Sequence, residues 1–70
     1  MAKHGYVVMS DSDVDCVILA RVDSLGDAMD FCRDNDNGEG YWAPEREIIA
    51  MNVETRREWR LVTEAWERVR

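Results

Sequence analysis

Five aspartates and two asparagines crowd two short stretches of this chain, and each stretch raises a question of metal chemistry. DSDVD places Asp11, Asp13 and Asp15 at alternate positions, the spacing with which a calcium loop begins. The pattern then fails, because the sixth position is Cys16 where the sharp turn needs glycine, and the twelfth is Val22 where the bidentate glutamate belongs. DNDNGEG fails in either register. With Gly38 at the sixth position the twelfth is Pro44, and with Gly40 there it is Arg46. DSDVD reads as a turn with exposed carboxylates, and DNDNGEG as a helix C-terminus followed by a flexible connection.

Cysteine and histidine chemistry fares no better. His4, Cys16 and Cys32 lie too far apart for a recognisable zinc spacing. Both cysteines sit in apolar patterns, which predicts reduced core thiols rather than nucleophiles or a disulfide framework. No glycine-rich phosphate loop is present, since GEG carries no lysine and follows no strand. The expectation is a protein with no catalytic residues, no metal and no cofactor, hence not an enzyme.

Charge narrows the partners. The 70 residues carry a net charge of −6, and the first 40 hold nine acids against Lys3, Arg21 and Arg33. The last 30 balance six glutamates with six arginines. Nucleic acid and anionic lipid both require positive charge on the protein, so neither direct nucleic-acid binding nor membrane binding is expected. The cluster Arg56, Arg57, Arg60 is interleaved with Glu54, Glu58, Glu64 and Glu67, as in a solvated, ion-paired face. No apolar run is long enough for a signal peptide or a spanning helix, which predicts a cytoplasmic protein.

Elements must position whatever these residues do. Tyr6–Met9 and Cys16–Val22 are rich in β-branched residues and predict a hairpin closed by a turn at 10–13. The unbroken run Val17–Ala20 predicts coverage on both faces of the sheet, or at least one unusually apolar outer face. Ser24 as N-cap, with Asp27 three residues on, opens a helix over 24–35 whose stripe is Leu25, Ala28, Met29, Phe31 and Cys32. The short polar residues and glycine of Asp34-Asn35-Asp36-Asn37-Gly38 end it. Tyr41 and Trp42 could start a strand before Pro44, and Arg46–Met51 reads as a strand.

Asn52 caps what reads as a final helix over 53–70, with Thr55 and Glu58 as an alternative capping box. Trp59, Val62, Trp66 and Val69 recur at 3-4-3 spacing and form one stripe, bordered by Val53 and Ala65. The expected fold class is α+β, a small mainly antiparallel sheet in ββαβ(β)α order with two helices, the C-terminal one long and amphipathic. Residues 1–70 are expected to form one domain. The second helix could share the face of the first or cover the other, and the second arrangement would account for the two-sided apolar character of Cys16–Val22.

Function follows from surfaces rather than from a site. The first expectation is a small non-enzymatic protein-interaction or regulatory module, a homodimer or the partner of another protein. It would self-associate through the C-terminal helix, with Tyr41, Trp42, Trp59, Val62, Trp66 and Val69 as contact residues. A second reading is an acidic mimic of nucleic acid that inhibits a DNA- or RNA-binding protein. Asp11, Asp13, Asp15, Asp27, Asp30, Asp34 and Asp36 would present its negative field. A third is a small metal-binding protein or catalyst.

Overall fold

The structure, a computed structural model, describes residues 5–69, so His4 lies outside the described residues. The first hairpin forms where β-branched residues predict it. Strand β1 (Tyr6–Asp11) and strand β2 (Cys16–Val22) pair antiparallel. Ser12 closes the connection: its N–H donates to the Asp15 carbonyl at 2.8 Å, and its Oγ accepts from the N–H groups of Val14 and Asp15. A bulge opposite Val8 and Met9 inserts Leu19 as an extra residue in β2.

Helix α1 (Leu25–Asn35) starts as its capping residues dictate. Ser24 Oγ accepts from the Asp27 N–H at 3.1 Å, and the Ser24 carbonyl accepts from Ala28 N–H. Ala28 and Cys32, four apart, bury the same side of the helix. The chain leaves through Gly38 and Gly40, both at positive φ, a conformation that glycine adopts without steric penalty. Tyr41 and Trp42 then lie in a short 3-10 turn, Gly40–Trp42, and not in a strand. Trp42 packs on Phe31 with ring centroids 5.9 Å apart.

Strand β3 (Glu47–Asn52) pairs with β1 on the side opposite β2. Helix α1 thus carries the chain across β1, whose Val8 and Ser10 become fully buried. Val8, Ala28, Cys32, Ile48 and Ala50 form the core between helix and sheet, with Leu25, Phe31, Leu61 and Trp66 packed around them.

The C-terminal helix does not exist. Residues Glu58–Val62 form strand β4 and Ala65–Val69 form strand β5, which complete a five-stranded antiparallel sheet in the order β2-β1-β3-β4-β5. The observed order is therefore ββαβββ, with one internal helix. Asn52 does cap, as its chemistry predicts: its Oδ1 accepts from Glu54 and Thr55 N–H at 2.9 and 3.0 Å. The turn it nucleates ends after four residues, where Arg56 takes φ 64° and Asn52 N–H bonds to the Arg57 carbonyl.

The second reversal is tighter. Val62 pairs with Ala65, so Thr63 and Glu64 form a two-residue turn, with Thr63 at φ 60°. Glycine is preferred there, because a β-branched side chain crowds the backbone at positive φ. Thr63→Gly is therefore expected to raise stability by ~0.5–1 kcal/mol, the released strain exceeding the added chain entropy. An upward shift of the urea midpoint at unchanged slope would show it.

Candidate interaction surface

Alternation along the strands sorts every sheet residue onto one of two faces, and Cα partners in neighbouring strands share a face. Tyr6, Val8, Ser10, Ile48, Ala50, Trp59, Leu61 and Trp66 face α1. Val7, Met9, Ile18, Ile49 and Met51 point the opposite way, where no described element covers them. The two-sided apolar character of β2 is real, but the second helix predicted to cover it is absent.

This open face has an apolar centre and a charged border. Met9 lies between Ile18 and Ile49, and Val7 lies between Arg21 and Met51. Val7, in the row between Arg21 and Met51, is only 2 % exposed. Ile18, on the edge strand, is 52 % exposed and Val62 41 %, so two of the four large hydrophobics exposed to solvent among the described residues lie on this one face. Toward β5 the face turns polar: Arg60 Nη1 meets Glu47 Oε2 at 3.1 Å and Arg60 Nη2 meets Glu67 Oε1 at 3.4 Å. Arg21 and Asp11 mark opposite ends of the apolar centre, and neither forms an ion pair among the described residues.

The residues predicted from the helical stripe divide between the faces. Trp59 and Trp66 lie on the covered side. Trp59 stacks obliquely on Tyr6 at 5.8 Å, and Trp66 Nε1 donates to the Leu25 carbonyl at 3.0 Å. Val62 and Val69 lie on the open side. Self-association through a C-terminal helical stripe is thereby overturned. Tyr41 is half exposed, beneath the Arg46 guanidinium at 5.3 Å from its ring centre.

The aspartates do not converge on one surface. Asp11 is on the open face, Asp13 at the hairpin tip, and Asp27, Asp30 and Asp34 are exposed on the helix across the sheet. Asp36 caps the helix C-terminus, its N–H bonded to the Cys32 carbonyl. Asp15 is engaged by Arg46, which holds its carboxyl below the usual range, helped by Ser12. Arg46 also donates from Nε to Ser10 Oγ at 2.6 Å and from Nη2 to the Ser10 carbonyl at 3.0 Å. Ser10 Oγ in turn donates to the Tyr41 carbonyl. The cluster contains no base beside the hydroxyl and works as a clamp between β1, the hairpin turn and the start of β3.

The thiols are on opposite sides of the sheet, and both are free. Cys32 is buried as predicted, and burial with the nearby Asp36 carboxylate pushes its thiol up to about 11. Cys16 is exposed instead, because it falls on the open face, with Sγ 3.8 Å from Met9 Sδ. Partial burial and the neighbouring Asp11 and Asp15 carboxylates raise its pKa too. Neither thiol has the electropositive surroundings that make a cysteine nucleophilic.

A cleft of about 400 Å³ separates α1 from the β4–β5 turn, floored by Met29, Cys32 and Leu61 and bordered by Arg33 and Glu64. Among the described residues, no group of three or more His, Cys, Asp or Glu side chains is placed to hold a metal ion. None of their helices is long and apolar enough to cross a membrane.

Sequence reasoning missed Arg21, Met9, Ile49 and Met51 as surface residues. Their signal was present, because β1 and β3 are apolar at successive positions where a one-sided sheet would alternate. The chain matches no protein-family model, no curated protein and no solved structure.

Proposed function

We propose that this small α+β domain is a binding domain that docks protein through the open face of its sheet, and that it is not a catalyst. One observation carries the reading: the helix covers one face, and the other presents Met9, Ile18, Ile49 and Met51 as a continuous apolar centre bordered by charge. An apolar centre with a charged rim is the anatomy of protein interfaces. A chain of this size gains little from leaving such a face in water.

The reading is tested without knowing the partner. A photo-crosslinking amino acid is placed at position 18 in the chain expressed in its native cells, with position 30 on the helix as control. Protein adducts from position 18 and none from position 30 are expected. Equal adduct formation from both positions, or none from position 18, would overturn the assignment.

A further inference from the structure

Resting on that reading, we infer that the partner on the open face is a second copy of this chain, packed sheet against sheet about a two-fold axis. A two-fold interface brings each residue opposite whatever its own face carries elsewhere. Self-complementary charge at opposite ends of one apolar strip is therefore the feature that favours a copy over an unrelated protein. Arg21 lies in the row of Val7 and Met51, and Asp11 lies in the row of Cys16 and Glu47. The row of Ile18, Met9 and Ile49 runs between them.

An axis along that middle row, perpendicular to the strands, stacks Ile18, Met9 and Ile49 on their counterparts. The same rotation lays the Arg21 end of one copy over the Asp11 end of the other. Arg21 and Asp11 sit on adjacent strands, so each arginine arrives within a strand's spacing of the opposing aspartate. Both groups lack an ion-pair partner among the described residues, so nothing within the sheet competes for them. Arg60 and Glu67 continue the middle row onto β4 and β5, beyond the three apolar strands, and Glu47 lies beside Asp11 at the acidic end, paired with Arg60.

Packed sheets stand ~10 Å apart, a gap that isoleucine and methionine side chains from both copies fill. Three strands of six residues offer roughly 300 Å² of flat sheet per copy, from ~4.8 Å between strands and ~3.3 Å per residue. That is small beside the ~800 Å² per partner of a standard interface. The dimer is accordingly weak and concentration-dependent, with a dissociation constant on the order of tens of micromolar.

Sedimentation equilibrium of the purified chain tests the assignment up to about 1 mM, well above that constant. Wild type should approach twice the monomer mass. Ile18→Glu, at a position already half exposed, should remain monomeric while keeping its fold by circular dichroism. Asp11→Arg and Arg21→Asp should each weaken association roughly three- to tenfold, through two equivalent pairs. The double exchange should restore it, a readout that misfolding cannot mimic.

A strictly monomeric wild type, or a dimer indifferent to Ile18→Glu, would overturn the proposal, as would a double exchange that fails to recover association. The crosslinks from position 18 separate the two conclusions. Adducts at twice the chain mass support the second copy. Adducts only with other proteins reject the second copy and leave the open face as a docking surface, whereas no adducts reject both.

Discussion

Trp66→Ala is expected to remove about half or more of the protein's stability while leaving it mostly folded at room temperature. The indole packs against the core formed by Ala28, Cys32, Ile48 and Ala50, and its N–H reaches the Leu25 carbonyl in the first turn of the helix. It is thus a tie between the edge strand β5 and α1. Truncating a buried tryptophan destabilises by ~3–5 kcal/mol, and Trp66, half-buried, should lose roughly 2–4 kcal/mol. A domain of this size has about 5 kcal/mol in all.

Two companions locate the loss. Trp66→Phe keeps most of the ring and loses the hydrogen bond, worth about 1 kcal/mol. Val62→Ala, on the opposite face and 41 % exposed, should change stability by less than ~1 kcal/mol in the isolated monomer. A continuous helical stripe would make positions 62 and 66 comparable. Urea unfolding monitored by far-ultraviolet circular dichroism measures all three, and equal effects at 62 and 66 would contradict the strand assignment.

That contrast explains why the last third of the chain was misread. A two-residue turn between two five-residue strands puts Trp59 and Trp66 seven apart on one face, and Val62 and Val69 seven apart on the other. Seven residues are also two helical turns, so the period alone cannot separate a hairpin from a helix. The turn that decides it, Thr63-Glu64, carries no glycine, asparagine or aspartate, the residues by which such turns are recognised. Asn52 misled for a different reason. Its side chain satisfies the next N–H groups in a loop as readily as in a helix, and only Arg56 at positive φ ends the turn.

Where local chemistry decides the outcome, the sequence was sufficient. Ser24 caps α1, Ala28 and Cys32 face the core, and the first hairpin forms where β-branched residues cluster. The open face was legible only in part. The run Val17–Ala20 announces two apolar faces, but what covers the second is a property of the whole chain. Once residues 58–69 become strands, the material expected to cover that face extends the sheet instead.

Arg46→Met should be the second most damaging change, and no spacing in the sequence announces it. Ser10 and Arg46 are 36 residues apart, yet the guanidinium donates to both the hydroxyl and the carbonyl of Ser10. The Ser10 side chain is fully buried, and Arg46 itself is 11 % exposed. Methionine preserves the length of the side chain and none of its donors. The buried Ser10 carbonyl then loses its side-chain donor, at ~1–3 kcal/mol, and Tyr41 loses a cation over its ring, at ~0.5–1 kcal/mol. The sum, roughly 1.5–4 kcal/mol, omits the solvent-facing pair with Asp15, which adds little. Arg46→Lys should recover only part, since an ammonium cannot match the planar fork that meets Ser10 and Asp15 together. The pair with Asp15 shows itself in acid instead. Arg46 holds the Asp15 carboxyl below its ordinary value of 3.8, so its contribution is present above that value and is lost as pH falls through the lowered one. Wild type should therefore lose stability below about pH 4 more steeply than Asp15→Asn. In the Arg46→Met background the Asp15 change should alter that slope much less, through the remaining Ser12 hydrogen bond alone. A double-mutant cycle at pH 3 and pH 7 resolves the two contributions: a pH-independent loss from Ser10 and an acid-sensitive one from Asp15. If Arg46→Met unfolds at the wild-type urea midpoint at neutral pH, the clamp does not hold the hairpin to β3.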